Sequence, residues 1–265
     1  MSNFVVITGA SSGIGFDTAS YLHKLGYKVI GISRNYPKEK YDFEYILCDI
    51  TNQEMIDKTI KEIEKSTDTI DVLINCAGMG ISGAIEHTSL EEVNSIFQVN
   101  VVGVFLLTQA AIPLLRKSKR AKIINIGSVA GELSIPFQAF YSMTKASIGM
   151  FSECLRMELK PFCIDVTTVL PGDTKTGFTK NRIQPKVIQD ELYKDRIKRS
   201  IEKMEKDEEN GKPASSVTKV IYKLMKRKSM PVSVTVGFEY KLFVFLKRIL
   251  PKRFVNWLLY QMYAK

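Results

Sequence analysis

The stretch from Phe4 to Gly15, FVVITGASSGIG, decides the fold. It opens on a short apolar, β-branched run, turns through Gly9, Gly13 and Gly15, and continues into a helical pattern over residues 14–25. A near-continuous apolar run suits a parallel strand covered on both faces. Glycines placed directly after it let the chain turn tightly and let backbone amides approach a ligand. The helix that follows offers unpaired N–H groups and a partial positive charge at its start, which suits a pyrophosphate. Ser11 and Ser12 add hydroxyl donors, and Ile14 stands between the last two glycines. The spacing is G-x-x-x-G-x-G rather than the usual dinucleotide spacing G-x-G-x-x-G. The physics of a phosphate cradle is the same for both.

Outward from this turn, β-branched runs recur at residues 28–33, 45–49, 72–75, 122–126, 165–170 and 232–236. Helical patterns lie between them at 52–65, 90–116, 140–160 and 216–226. Thr51 and Ser89 stand where N-caps are expected. Regular alternation of this kind predicts an α/β, Rossmann-type doubly wound parallel sheet of about seven strands, with helices on both faces. No internal repeat or Gly/Ser linker divides the chain, so residues 1–237 are expected to form a single domain. The charged segment 178–213 breaks the rhythm. It reads either as a solvated surface helix or as a lid over a substrate cleft, and its position favours the lid. The segment 90–116 is apolar almost all round, which predicts burial on more than one side, against the sheet and against a second subunit.

The second strand ends on Ser33, followed by Arg34. Proteins that bind NAD tend to place an acid here for the ribose 2′-hydroxyl. A guanidinium pairs instead with a 2′-phosphate, so the expected cofactor is NADP(H). Further along, YSMTK puts Tyr141 and Lys145 four residues apart, on one face of a helix. A phenol ordinarily titrates near pH 10, poorly matched to neutral chemistry, and a neighbouring ammonium is expected to lower that value.

Composition narrows the class. The chain has 265 residues, 45% hydrophobic and 25% charged, with a formal net charge of +10. Residues 238–265 hold six basic residues against one acid, half of that excess. The rest is spread without a stripe for a phosphate backbone, so no nucleic-acid partner is expected. Cys48, Cys76, Cys154 and Cys163 lie in no C-x-x-C and near no histidine with ligand spacing, so no metal site is expected. The start of the chain shows no secretory pattern, which predicts a cytoplasmic protein, peripheral at a membrane at most. The two histidines, His23 and His87, accompany no candidate nucleophile, which argues against a serine hydrolase.

Taken in order, TGxxxGxG, an N-x-A-G after the fourth strand, an upstream serine and Y-x-x-x-K resemble the short-chain dehydrogenase/reductase family, and its hydroxysteroid-dehydrogenase-like members most. The resemblance implies an NADPH-dependent oxidoreductase that interconverts a ketone or aldehyde and an alcohol on an apolar, steroid- or lipid-like substrate. It implies roles residue by residue. Tyr141 is similar to the general acid/base, and Lys145 to the residue that tunes it and holds the nicotinamide ribose. Ser128 resembles the hydroxyl that orients the carbonyl, and Asn100 the residue that anchors a relay water. Asp49 and Ile50 resemble the adenine site. Asn75, Ala77 and Gly78 match the N-x-A-G stretch of the cofactor site, with Cys76 standing where the family often has asparagine. Pro171, Gly172, Thr174 and Thr176 resemble the loop that holds the carboxamide. A homodimer or homotetramer is the family expectation. Alternatives are a sugar-nucleotide epimerase or dehydratase and a non-catalytic NADPH-binding membrane adaptor.

The last segment, 238–265, mixes aromatic and aliphatic residues with paired cations, and Pro251 is expected to separate two short helices. One reading lays it on an anionic membrane, with Trp257, Tyr260 and Tyr263 at the interface. The other packs its apolar face over the substrate cleft or against another subunit.

Overall fold

A computed structural model describes residues 4–178, 182–183 and 190–265. Its core is a seven-stranded parallel sheet in the order β3-β2-β1-β4-β5-β6-β9. The strands are β1 (Phe4–Thr8), β2 (Lys28–Ser33), β3 (Glu44–Leu47), β4 (Val72–Asn75), β5 (Lys122–Ile126), β6 (Asp165–Pro171) and β9 (Ser233–Val236). A short pair, β7 (Thr174–Lys175) and β8 (Lys212–Pro213), stands apart from it. The strand order reverses between β1 and β4, so the crevice at their carboxyl ends is where a doubly wound fold binds its ligand.

Alternation along the buried strands feeds two cores. Phe4, Val6, Leu73 and Ile123 face one side, against α2 (Gln53–Ser66), α4 (Gly103–Arg116) and α5 (Ala139–Leu159). Val5, Ile7, Ile74 and Ile124 face the other, against α1 (Gly13–Lys24) and α7 (Ala214–Lys226). Both faces of the sheet are therefore covered, as the apolar strands require.

Two details differ from expectation. The N-cap of α2 is Asn52, whose side chain accepts from Met55 N at 3.0 Å. Thr51 does not cap it, because its own N–H and hydroxyl both donate to Asp49 Oδ1, at 2.9 and 2.8 Å. The expected helix over 90–116 is α3 (Leu90–Phe97), a π-helical turn (Gln98–Val102) and α4. Ser89 caps α3 in a capping box with Glu92. The run Leu90–Arg116 is long and apolar enough to cross a membrane by composition, yet Val104, Leu107, Ala111 and Leu114 bury its inner face on the sheet. Its outer face keeps Phe105 exposed.

The segment expected as a lid is described in part. Residues 179–181 and 184–189 lie outside the described residues. The rest forms α6 (Lys194–Glu209), which buries Ile197, Ile201 and Met204. After β9 the chain forms α8 (Phe238–Ile249) and α9 (Lys252–Tyr263), separated at Pro251.

The sheet is tied at its switch point by one side chain. Thr8 Oγ1 accepts from Cys76 N at 2.9 Å and from Ala77 N at 3.0 Å, linking the ends of β1 and β4. Thr8→Val preserves shape and removes the acceptor. It is expected to lower unfolding stability by about 1–3 kcal/mol, read from urea melts.

Candidate active site

The carboxyl ends of the strands open into a cavity of about 800 Å³. Its first wall is the glycine turn. Gly9 has φ +66°, and a Cβ there would come within 2.9 Å of the Ala77 backbone. A Cβ on Gly15 would sit 2.3 Å from the Gly9 carbonyl oxygen. A side chain at either position would collide with backbone, after β4 in the first case and at the end of β1 in the second, so the tight turn requires both glycines. Ser11, Ser12, Gly13 and Ile14 line the same wall. The residues present fit a dinucleotide's phosphates.

Arg34 and Ser33 line the next part of the cavity. Ser33 is engaged with the Tyr45 hydroxyl, which also donates to Asn35 O at 2.8 Å. Arg34 is exposed, and no hydrogen bond or ion pair holds it among the described residues. Asp49 and Ile50 follow. Ala77 and Gly78 line the cavity, but Asn75 does not. Its amide donates to Thr108 Oγ1 at 2.9 Å and to Asn125 Oδ1 at 2.8 Å, and Asn125 donates onward to Ser152 at 2.8 Å. This buried chain braces β4, β5, α4 and α5 behind the site, without help from the Cys76 thiol.

Asn100 sits in the π turn and also stays out of the cavity wall. Its Oδ1 accepts from Met79 N at 2.8 Å, while Nδ2 donates to Met79 O at 2.9 Å and to Thr144 Oγ1 at 3.1 Å. The side chain pins the segment after β4 to the helix that carries Tyr141 and Lys145. π turns of this kind are frequent at functional sites.

Tyr141, Lys145 and Ser128 converge. Ser128 follows β5, caps the turn Val129–Gly131 by accepting from Ala130 N at 3.1 Å, and sets its hydroxyl close enough to the Tyr141 phenol to favour the ionised form. The Lys145 Nζ lies 5.7 Å from the centre of the Tyr141 ring and donates to Ile126 O at 2.9 Å. Burial pushes the Tyr141 phenol up to about 12, and the nearby Ser128 hydroxyl only partly opposes it. Burial also brings the Lys145 ammonium down to about 8. The expectation that Lys145 lowers the phenol's pKa is not met in this geometry. Desolvation dominates the shift, and the ammonium is turned to a backbone carbonyl. At neutral pH the phenol keeps its proton, which suits a donor to an oxygen that develops negative charge.

Pro171, Gly172, Thr174 and Thr176 line the far side. Thr176 lies over the glycine turn, 3.4 Å from where a Cβ on Gly13 would stand. The remaining wall was not legible from spacing. Asp173, Glu208, Tyr240 and Tyr263 all reach the cavity. They arrive from the turn after β6 and from α6, α8 and α9, and only packing brings them together. Tyr263, expected at a membrane interface, faces inward.

A family model for short chain dehydrogenases matches residues 3–186. The chain belongs to that family. As a short-chain dehydrogenase it is an NAD(P)-binding oxidoreductase acting on small molecules. Among its relatives is the 3-ketodihydrosphingosine reductase of Bacteroides thetaiotaomicron, 39% identical over 98% of this chain and 97% of that one. Another is dehydrogenase/reductase SDR family member 7B of Xenopus tropicalis, 33% identical over 68% of this chain and 63% of that one. A short-chain dehydrogenase from Streptomyces avermitilis has a solved structure with a TM-score of 0.82, 28% identity and 92% coverage of both chains. One from Leptospira borgpetersenii, solved with bound NAD+, has a TM-score of 0.62 and 32% identity over 66% of this chain and 72% of that one.

Burying the Lys145 ammonium has a pH signature. Its pKa falls from the ordinary 10.5 to about 8, so between those values the unfolded chain binds the extra proton and stability rises with pH. Below about pH 8 the cost is fully present. Lys145→Met is therefore expected to stabilise the protein most at neutral pH, and by less at each step from pH 8 to 10, in urea melts without added nucleotide.

Proposed function

We propose that the chain is an NADPH-dependent reductase of a long-chain, lipid-like ketone. The observation that carries this reading is the buried Tyr141, protonated at neutral pH and beside the Ser128 hydroxyl, in a cavity that Phe178, Phe243, Leu246, Leu259 and Met262 make apolar on one side. The bound nicotinamide supplies the hydride to the carbonyl carbon. Tyr141 gives its proton to the carbonyl oxygen, aided by the Ser128 hydroxyl, and regains one from solvent. Lys145 holds the nicotinamide ribose, and Asn100 acts through Thr144 and Met79 as a positioning residue. The near full-length relationship to a 3-ketodihydrosphingosine reductase supports a ketone on a long alkyl chain ahead of a steroid. Arg34, exposed at the cavity rim with no partner among the described residues, supports NADPH over NADH.

The C-terminal helices support a protein that works at a membrane surface. Leu246, Leu259 and Met262 face the cavity. On the outside, Phe238, Phe245, Ile249, Phe254 and Trp257 are exposed among Lys241, Arg248, Lys252 and Arg253. An anionic bilayer suits both the apolar and the cationic parts of that face. Assembly into a dimer or tetramer fits the exposed Phe105 of α4 and Met150 and Met157 of α5.

NADPH oxidation with a panel of long-chain ketones tests the reaction. Tyr141→Phe is expected to reduce turnover at least about a hundredfold, with NADPH affinity unchanged. Substantial residual turnover would assign the proton to another residue. Arg34→Ala is expected to raise the NADPH KM about tenfold and leave NADH use unaltered. Co-sedimentation of the full chain with anionic but not neutral liposomes is the expected result for the tail; equal failure with both would remove the membrane contact.

A further inference from the structure

At the end of β2, Ser33, Arg34 and Asn35 line the cavity beyond the glycine turn. Tyr45 of β3 stands behind them and does not line the cavity itself. Its ring lies against Gly31 of β2, where a Cβ would come within 3.0 Å of Tyr45 Cδ2, so only glycine leaves room for it. The rings of Tyr36 and Tyr41 flank it, with centroids 5.5 and 5.4 Å away. Held in this way, the Tyr45 hydroxyl donates to Asn35 O at 2.8 Å and meets the Ser33 hydroxyl. Ser33 Oγ also lies within reach of Asn35 O, at 3.1 Å. Burial pushes the Tyr45 phenol up, so it keeps its hydrogen at neutral pH.

Two hydroxyls thus face one carbonyl, and each has a single hydrogen to give. Tyr45 makes the shorter contact with Asn35 O and satisfies it. The Ser33 hydrogen is then left over. Without a ligand it turns to the Tyr45 oxygen. A phosphate oxygen carries charge and is the stronger acceptor, so it draws that hydrogen into the cavity beside the Arg34 guanidinium. Remove the phenol hydroxyl and the balance reverses. Asn35 O takes the Ser33 hydrogen, and Ser33 presents lone pairs to an anion. We infer that Tyr45 is a positioning residue for the cofactor's 2′-phosphate: by occupying Asn35 O it frees the Ser33 hydroxyl to donate to that phosphate. This rests on the NADPH reading and adds to it the residue that prepares the site. Tyr45 acts only through Ser33 and touches neither nucleotide nor substrate.

The test is calorimetric titration of the full chain with NADPH and with NADH, without a second substrate. Wild type is expected to bind NADPH more tightly. Tyr45→Phe keeps the ring and its aromatic neighbours, and is expected to lower the ratio of NADPH to NADH affinity about fivefold to tenfold. Ser33→Ala is expected to lower the ratio by a similar factor. In the Ser33→Ala background, Tyr45→Phe is expected to change it by less than about twofold, because the two residues act as one unit. If wild type shows no preference for NADPH, the NADPH reading falls and takes this assignment with it. Three results overturn the assignment alone. Tyr45→Phe weakens both nucleotides by the same factor, as a merely structural residue would. Ser33→Ala leaves the ratio at its wild-type value. Tyr45→Phe lowers the ratio as much without the Ser33 hydroxyl as with it.

Discussion

The structure depends on how closely the first turn of α1 presses on the end of β1. A single methyl on Gly15 would meet the Gly9 carbonyl oxygen at 2.3 Å. Overpacking of that kind forces backbone shifts that a dense interior resists. Because the contact is kept, the helix start is aimed along the strand end, toward the point where strand order reverses. Thr8 then ties the neighbouring strand to the same place through two amides. The cavity is a consequence. With both faces of the sheet covered by helices, its carboxyl edge is where backbone donors remain open to a ligand.

Burial is the second agent, and it works on charge. Lys145 is held by a strand carbonyl, and its ammonium is weakened by desolvation. Tyr141 is made a weaker acid by the same cause. Spacing on a helix face suggested a cation acting on a phenol. The folded protein shows two buried groups, each shifted toward its neutral form. For reduction this is serviceable, since the phenol must hold a proton until the carbonyl oxygen needs it.

Polar side chains behind the cavity set the angles in front of it. Asn75 and Asn125 bridge strands and helices, and Asn100 uses both ends of its amide on the segment after β4 and on α5. The π turn at Gln98–Val102 is what lets Asn100 face that way within a run of helix. On the opposite side, α6, α8 and α9 close the cavity with apolar residues, and α6 adds Glu208 among them. Their outer faces leave aromatic and cationic groups exposed, so one pair of terminal helices presents different chemistry to the cavity and to its surroundings.

Much of this was legible in the residues alone. The parallel sheet followed from apolar runs punctuated by glycine turns, since a strand without polar alternation must be covered on both faces. The helix-face pairing of Tyr141 and Lys145 followed from periodicity, and the cap at Ser89 from local propensity. These are short-range constraints, written within a few residues of one another. Tertiary structure decided the rest. It turned Asn75 into a brace, moved the cap of α2 to Asn52, interrupted the helix at Asn100 and reversed the expected shift of the phenol. It also brought Asp173 and Tyr240, which are 67 residues apart, to 2.5 Å. Desolvation and long-range contact depend on what surrounds a group in space, and no local pattern in the chain encodes that.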